Sequence, residues 1–80
     1  MSGTEREAAG GEVTLTLNGE PRTFSPAPAD VGALVDALGL AGARVAVEVN
    51  RRIVRRADWA EAALADGDSV EIVHFVGGGS

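Results

Sequence analysis

Apolar and polar residues alternate over Val13-Thr14-Leu15-Thr16-Leu17, and this period of two predicts a strand with one buried face. Asn18-Gly19 follows at once, a pair that tolerates positive φ at both centres of a type I′ turn, and Glu20 to Phe24 resumes an extended pattern, which predicts a hairpin. After Pro26 and Pro28 the period changes. Val31, Leu34, Val35 and Leu38 fall at i, i+3, i+4 and i+7, so they gather on one face of a short amphipathic helix. Asp30 is placed to accept from its first free N–H groups, and Gly39 to end it in the left-handed conformation. Alternation returns over Arg44 to Val49, with Val45, Val47 and Val49 on one side. Asn50-Arg51-Arg52 then turns the chain and Ile53-Val54 reads as a brief return strand. A helical turn is expected between Asp58 and Leu64, with Trp59 and Leu64 inward, and Asp66-Gly67-Asp68 turns into a β-branched strand from Ser69 to Val76.

The resulting order, ββαββ with a small helical insertion before the last strand, predicts an α+β domain. Its arrangement is that of a β-grasp (ubiquitin-like) fold, a mixed sheet with one main helix packed on one face, although the order alone also suits other small α+β folds. The last strand is expected to lie centrally, parallel to the first, with the helix inside the crossover between them. Three regions are expected: a disordered leader over 1–11, polar or small and ending in Gly10-Gly11; the β-grasp domain over 12–76; and a flexible glycine-rich tail over 77–80.

Composition then removes whole classes of function. Eighty residues hold one modest core and leave little room for a deep, solvent-excluding active site. The absence of cysteine eliminates thiolate catalysis, disulfides and cysteine-based zinc or iron–sulfur centres. The single histidine, His74, has no neighbouring nucleophile to activate and reads as a packing or surface residue. Asp66 and Asp68 supply too few oxygens for calcium and read as turn formers, so no metal site is expected. A net charge of −5 argues against nucleic acid, and the lack of a long apolar stretch or a basic-then-apolar start argues against a membrane span or export, giving a cytoplasmic expectation.

Two surface features and the tail remain as candidates. All seven basic residues are arginine, and Arg51, Arg52, Arg55 and Arg56 cluster in an otherwise acidic chain, either as a solvated hairpin or as a dock for an acidic partner. On the last strand, burying Val70 and Ile72 turns Val73 and Phe75 outward, a candidate docking patch beside the tail. Gly77-Gly78-Gly79 offers nothing to a core and maximal backbone freedom. Extended, Gly77 to Ser80 spans roughly 13 Å, enough to place a terminus inside another protein's active site through a narrow track. On composition alone, a frayed end or a linker has the same glycine run.

From Val13 onward the chain resembles the ThiS family of sulfur carriers in thiamin biosynthesis. The resemblance rests above all on the segment from Leu64-Ala65-Asp66-Gly67-Asp68 through Ser69-Val70-Glu71-Ile72-Val73-His74-Phe75-Val76 to Gly77-Gly78-Gly79. It is joined by Leu17-Asn18-Gly19-Glu20, Val45-Ala46-Val47-Glu48-Val49-Asn50 and Trp59. It implies a carrier with no activity of its own and no bound cofactor, whose terminal glycine carboxylate is activated with ATP by a ThiF-like (E1-type) adenylating enzyme. Sulfur from a cysteine-desulfurase source then gives a thiocarboxylate that a ThiG-like thiazole synthase consumes. On this reading Gly79 bears the reacting carboxylate, Gly77 and Gly78 form the recognised track, and Val73, Phe75, Arg51 and Arg52 meet partners, the free carrier being a monomer. The family ends at glycine whereas this chain ends Gly79-Ser80, so Ser80 is trimmed, is an addition made during expression, or is tolerated. The alternatives are a MoaD-like carrier for molybdopterin synthesis and a β-grasp interaction module that is no carrier at all.

Overall fold

The computed structural model describes residues 11–75, so residues 1–10 of the expected leader, residue 76 at the end of the expected domain and the expected tail over 77–80 lie outside the described residues. Strands β1 (Val13–Leu17) and β2 (Glu20–Phe24), helix α1 (Val31–Ala37), strands β3 (Val45–Val49) and β4 (Arg52–Val54), a 3-10 segment (Arg56–Glu61) and strand β5 (Ser69–His74) follow in chain order. The five strands form one sheet ordered β2-β1-β5-β3-β4. β1 and β5 run parallel, and the remaining neighbours are antiparallel. This is the expected α+β, β-grasp arrangement, with the last strand central and the helix in the crossover.

The period-two strands and the 3.6-period helix bury complementary faces. Val13, Leu15 and Leu17 of β1, Val47 of β3 and Val70 of β5 meet Val31, Leu34 and Val35 of α1 and Trp59. Asp30 caps the helix as expected, its Oδ1 accepting from the Ala33 N–H at 2.8 Å. The helix closes at Leu38, half-buried, and Gly39 takes φ 76°, the left-handed geometry that a Cβ disfavours. Trp59 is buried and its Nε1–H donates to the Val54 carbonyl at 3.0 Å, so the indole is fully used as structure. The expected helical turn begins two residues earlier, at Arg56, ends at Glu61 and is a 3-10 segment. Its start is anchored by the Arg56 guanidinium, which stacks over the Trp59 ring at 4.5 Å and donates to Ala43 O at 2.9 Å.

Two asparagines fasten β5 in place. The Asn18 Oδ1, in the β1–β2 turn at φ 51°, accepts from the Ile72 N–H at 2.8 Å. Asn50, in the β3–β4 turn and also at φ 51°, donates from Nδ2 to Asp68 Oδ1 and accepts at Oδ1 from the Ser69 N–H, both at 3.0 Å. The Asp66-Gly67-Asp68 turn completes the lock: Asp66 Oδ1 accepts from the Thr14 N–H at 2.7 Å and Asp68 Oδ2 from the Ala65 N–H at 2.8 Å, while Gly67 sits at φ 91°. These carboxylates are turn formers, as the sequence suggested.

Asn50→Ala removes two of those bonds and places a Cβ-bearing residue without a local hydrogen bond in the left-handed region. The expected loss is about 2 kcal/mol, or a drop of about 10 °C in Tm. Asn50→Gly, which keeps the backbone geometry, should lose less. Thermal unfolding followed by circular dichroism checks both, and equal stability of all three proteins would contradict this role for Asn50.

Candidate functional site

β5 is the element that delivers the tail, and its pairing sets what surrounds the exit. Its register with β3 runs from Val49 opposite Val70 to Val45 opposite His74, and the Phe75 N–H donates to Arg44 O at 2.9 Å. The strand is therefore held by β3 up to the last described residue. Alternation turns Val70 and Ile72 to the helix side and leaves Glu71, Val73 and Phe75 on the other side. Val73 is 54% exposed and Phe75 53%, so the apolar patch expected beside the tail is present. Ala46 faces Val73 across the β3–β5 ladder and extends it.

Ile53 is also exposed, at 72%, a feature the sequence reading missed. It pairs with Glu48, which pairs in turn with Glu71, so two carboxylates share a row with Ile53 on the open face. A three-residue strand has too short a pattern to assign faces, which is why Ile53 gave no signal.

The arginines divide. The Asn50-Arg51 turn lies at the end of the sheet where β5 begins, about 20 Å along the strands from Phe75 at roughly 3.3 Å per residue. Arg51 and Arg52 are exposed there, Arg51 at φ 72°. The structure thus does not bring them together with Val73 and Phe75. Beside the exit it places Arg44 and Arg56, which with Val45 and Phe75 line an open hollow of about 500 Å³. Spacing hid this pair, because Arg44 and Arg56 are brought together only by the β3–β4 hairpin and the 3-10 segment.

The potential metal-ligating side chains of the described residues are scattered. His74 is exposed and its imidazole bonds to no described residue, and no group of three or more potential metal ligands gathers there. No described helix is long and apolar enough to cross a membrane. The sheet is a platform that presents a patch and an exit. Gly77, Gly78 and Gly79, the residues expected to carry the chemistry, lie outside the described residues.

A model of the ThiS family matches residues 15–79, from the first buried strand to the last glycine. The chain belongs to the ThiS family. The match stops at Gly79 and leaves out Ser80. Among curated proteins, the sulfur carrier protein ThiS of Bacillus subtilis is 37% identical over 65 residues, covering 81% of this chain and 98% of its own. A thiazole synthase of Paramagnetospirillum magneticum is 50% identical over 66 residues, which is 82% of this chain, and one of Magnetococcus marinus is 41% identical over 65 residues, which is 81%. The chain spans 20% of the length of each of these two synthases. A crystal structure of a thiamine biosynthesis protein (ThiS) from Geobacter metallireducens superposes with a TM-score of 0.71 at 39% identity, covering 84% of this chain and all of its own. The ThiS fold and the β-grasp fold described above are the same.

Proposed function

We propose that this chain carries sulfur for thiazole formation in thiamin biosynthesis, on the carboxylate of Gly79, and catalyses no step by itself. The observation that carries the reading is the ThiS family match, which runs unbroken through the terminal glycines and ends on Gly79. Near-complete coverage of the Bacillus carrier supports it. So does the described sheet, which presents an exposed apolar patch on the strand that leads to the tail.

The chemistry suits a carrier. A carboxylate is a poor electrophile, so an adenylating enzyme of the ThiF type joins the Gly79 carboxylate to the AMP portion of ATP and releases pyrophosphate. A sulfur nucleophile from a cysteine-desulfurase system attacks the acyl carbon and AMP leaves. Attack by a persulfide leaves an acyl disulfide, and a thiol cleaves its S–S bond, forming a disulfide with the donor cysteine and leaving the tail with a thiocarboxylate in which one oxygen has been replaced by sulfur. ATP is consumed by the partner and is no resident cofactor of the chain. Glycines lack the Cβ atoms that would block a narrow track to that carboxylate.

The acceptor on this reading is a thiazole synthase. Proteins of that name contain a segment up to 50% identical to this chain, within polypeptides of which it is one fifth. Val73 and Phe75 supply the desolvated centre of the contact and Arg44 and Arg56 its basic rim. Phe75→Asp keeps the backbone bond to Arg44, because only the side chain changes. It should weaken binding to the synthase by about 1–2 kcal/mol, roughly tenfold, with an unchanged melting temperature. Isothermal titration reads the affinity, and unchanged affinity would remove the patch from the interface.

The test of the carrier reading is reconstitution. A chain ending at Gly79, incubated with ATP, adenylating enzyme and sulfur donor, should gain the mass difference between sulfur and oxygen, while a chain ending at Ser80 should not. Equal modification of both forms would contradict the assignment of Gly79, and modification of neither would contradict the carrier reading.

A further inference from the structure

Among the described residues, β5 is paired on both sides at its start and on one side only at its end. Its parallel pairing with β1 covers Thr16 opposite Ser69 and Leu17 opposite Val70, after which β1 turns away at Asn18-Gly19. In a strand the N–H and C=O of one residue point to the same side, and successive residues alternate. The Phe75 N–H bonds to Arg44 O and the Ser69 C=O accepts from the Asn50 N–H, so odd-numbered residues of β5 address β3. Even-numbered residues address β1: the Val70 C=O accepts from the Asn18 N–H at 2.8 Å, and the Ile72 N–H is taken by the Asn18 side chain. The Ile72 C=O and both backbone groups of His74 therefore point where β1 no longer runs. No described residue bonds to them.

That open edge borders a cleft. Leu17, Asn18, Leu38, Leu40, Ile72 and His74 line a space of about 270 Å³ between the end of β1, the end of α1 and the last turn of β5. Four of the six are apolar and none is an acid or an arginine. A row of unpaired backbone groups beside an apolar hollow is what an added strand recognises, the ladder giving affinity and the hollow selecting a side chain. Phe75 and Val73 occupy the opposite face of the same strand, so this edge is separate from the patch already described and continuous with the tail.

We infer that an extended, uncharged segment of the thiazole synthase polypeptide adds to the β1-side edge of β5 at Ile72–His74, with an apolar side chain in the cleft between Leu17, Leu38 and Leu40. The occupant is argued from continuity, since the enzyme that receives the tail must follow the chain from His74 outward, and from the relatives in which a homologous segment is part of a synthase polypeptide. The inference rests on the proposed carrier reading for its partner. It goes beyond that reading in assigning a second contact, made through backbone, which aligns the tail as it leaves the sheet.

Amide exchange on the isotopically labelled chain, alone and saturated with thiazole synthase, tests it. The His74 amide should exchange at least tenfold more slowly in the complex, whereas the Phe75 amide, already bonded to Arg44, should be slow in both. His74→Pro removes the outward N–H without touching the β3 ladder and should weaken binding several-fold; Leu40→Asp, which places a charge in the cleft, should do the same with Phe75 intact. A His74 amide as exposed in the saturated complex as in the free chain overturns the inference while leaving the carrier reading in place. Protection that appears without synthase and grows with chain concentration overturns it in favour of pairing between two copies. Failure of any complex to form overturns both.

Discussion

Leu15→Ala is expected to destabilise the folded chain by about 2–5 kcal/mol, the cost of truncating a fully buried leucine in a close-packed core. Leu15 has no exposed surface and occupies the middle of β1, which lies between β2 and β5, and it shares one core cluster with Leu34 and Val35 of the helix. Truncation removes apolar contacts and leaves a cavity that several rigid elements would have to collapse together to fill. A domain of this size has a total stability of about 5–10 kcal/mol, so the variant should be partly unfolded well below the melting temperature of the parent. Urea unfolding measures the difference, and a midpoint within experimental scatter of the parent would mean that the core is not organised around β1.

Removing Gly78, Gly79 and Ser80 should abolish thiocarboxylate formation while leaving the fold unchanged. The described core contacts and the β3–β5 ladder end by Phe75, so the deletion takes nothing from them. The new terminus is the carboxylate of Gly77, two residues short of Gly79, which withdraws the reacting group by roughly 7 Å at about 3.3–3.6 Å per residue. Reacting atoms must approach to about 3–3.5 Å, and misplacement by about 1 Å alone costs on the order of 10²-fold, so transfer should fall by at least that factor. Binding through Val73 and Phe75 should largely survive. Intact-mass measurement after reconstitution and titration against the synthase separate the two readouts. A truncated chain that still accepts sulfur would contradict the role of the tail, and one that loses binding altogether would place most of the interface in the glycines.

The sequence made the framework legible wherever a periodic pattern was long enough to carry a signal. The β1 alternation, the Asn18-Gly19 turn, the Asp30 cap and the Gly39 stop are all found where the spacing placed them. Even the parallel pairing of β1 and β5 followed, because a helix in the crossover leaves it room. What escaped was tertiary in origin. Asn18 and Asn50 read as turn residues, and their second task of bonding β5 depends on partners 54 and 19 positions away. Arg44 and Arg56 line one hollow with Phe75 through the folding of the hairpin, whereas two members of the arginine cluster that stood out in the chain, Arg51 and Arg52, are carried to the far end of the sheet. The open edge of β5 was likewise invisible, since it follows from β1 ending four residues before β5 does along their shared register. Gly77, Gly78 and Gly79, the residues proposed to carry the chemistry, were read from the family resemblance, because glycines without a pattern of neighbours carry no chemical signature.

The central claim is that Gly79 carries sulfur, and intact mass spectrometry of the untagged protein from its native host under thiamin demand tests it most directly. The expected result is a species ending at Gly79, part of it heavier by the exchange of one oxygen for sulfur. A protein found only with Ser80 in place and with no sulfur-bearing fraction would contradict the claim and leave the β-grasp sheet as an interaction module.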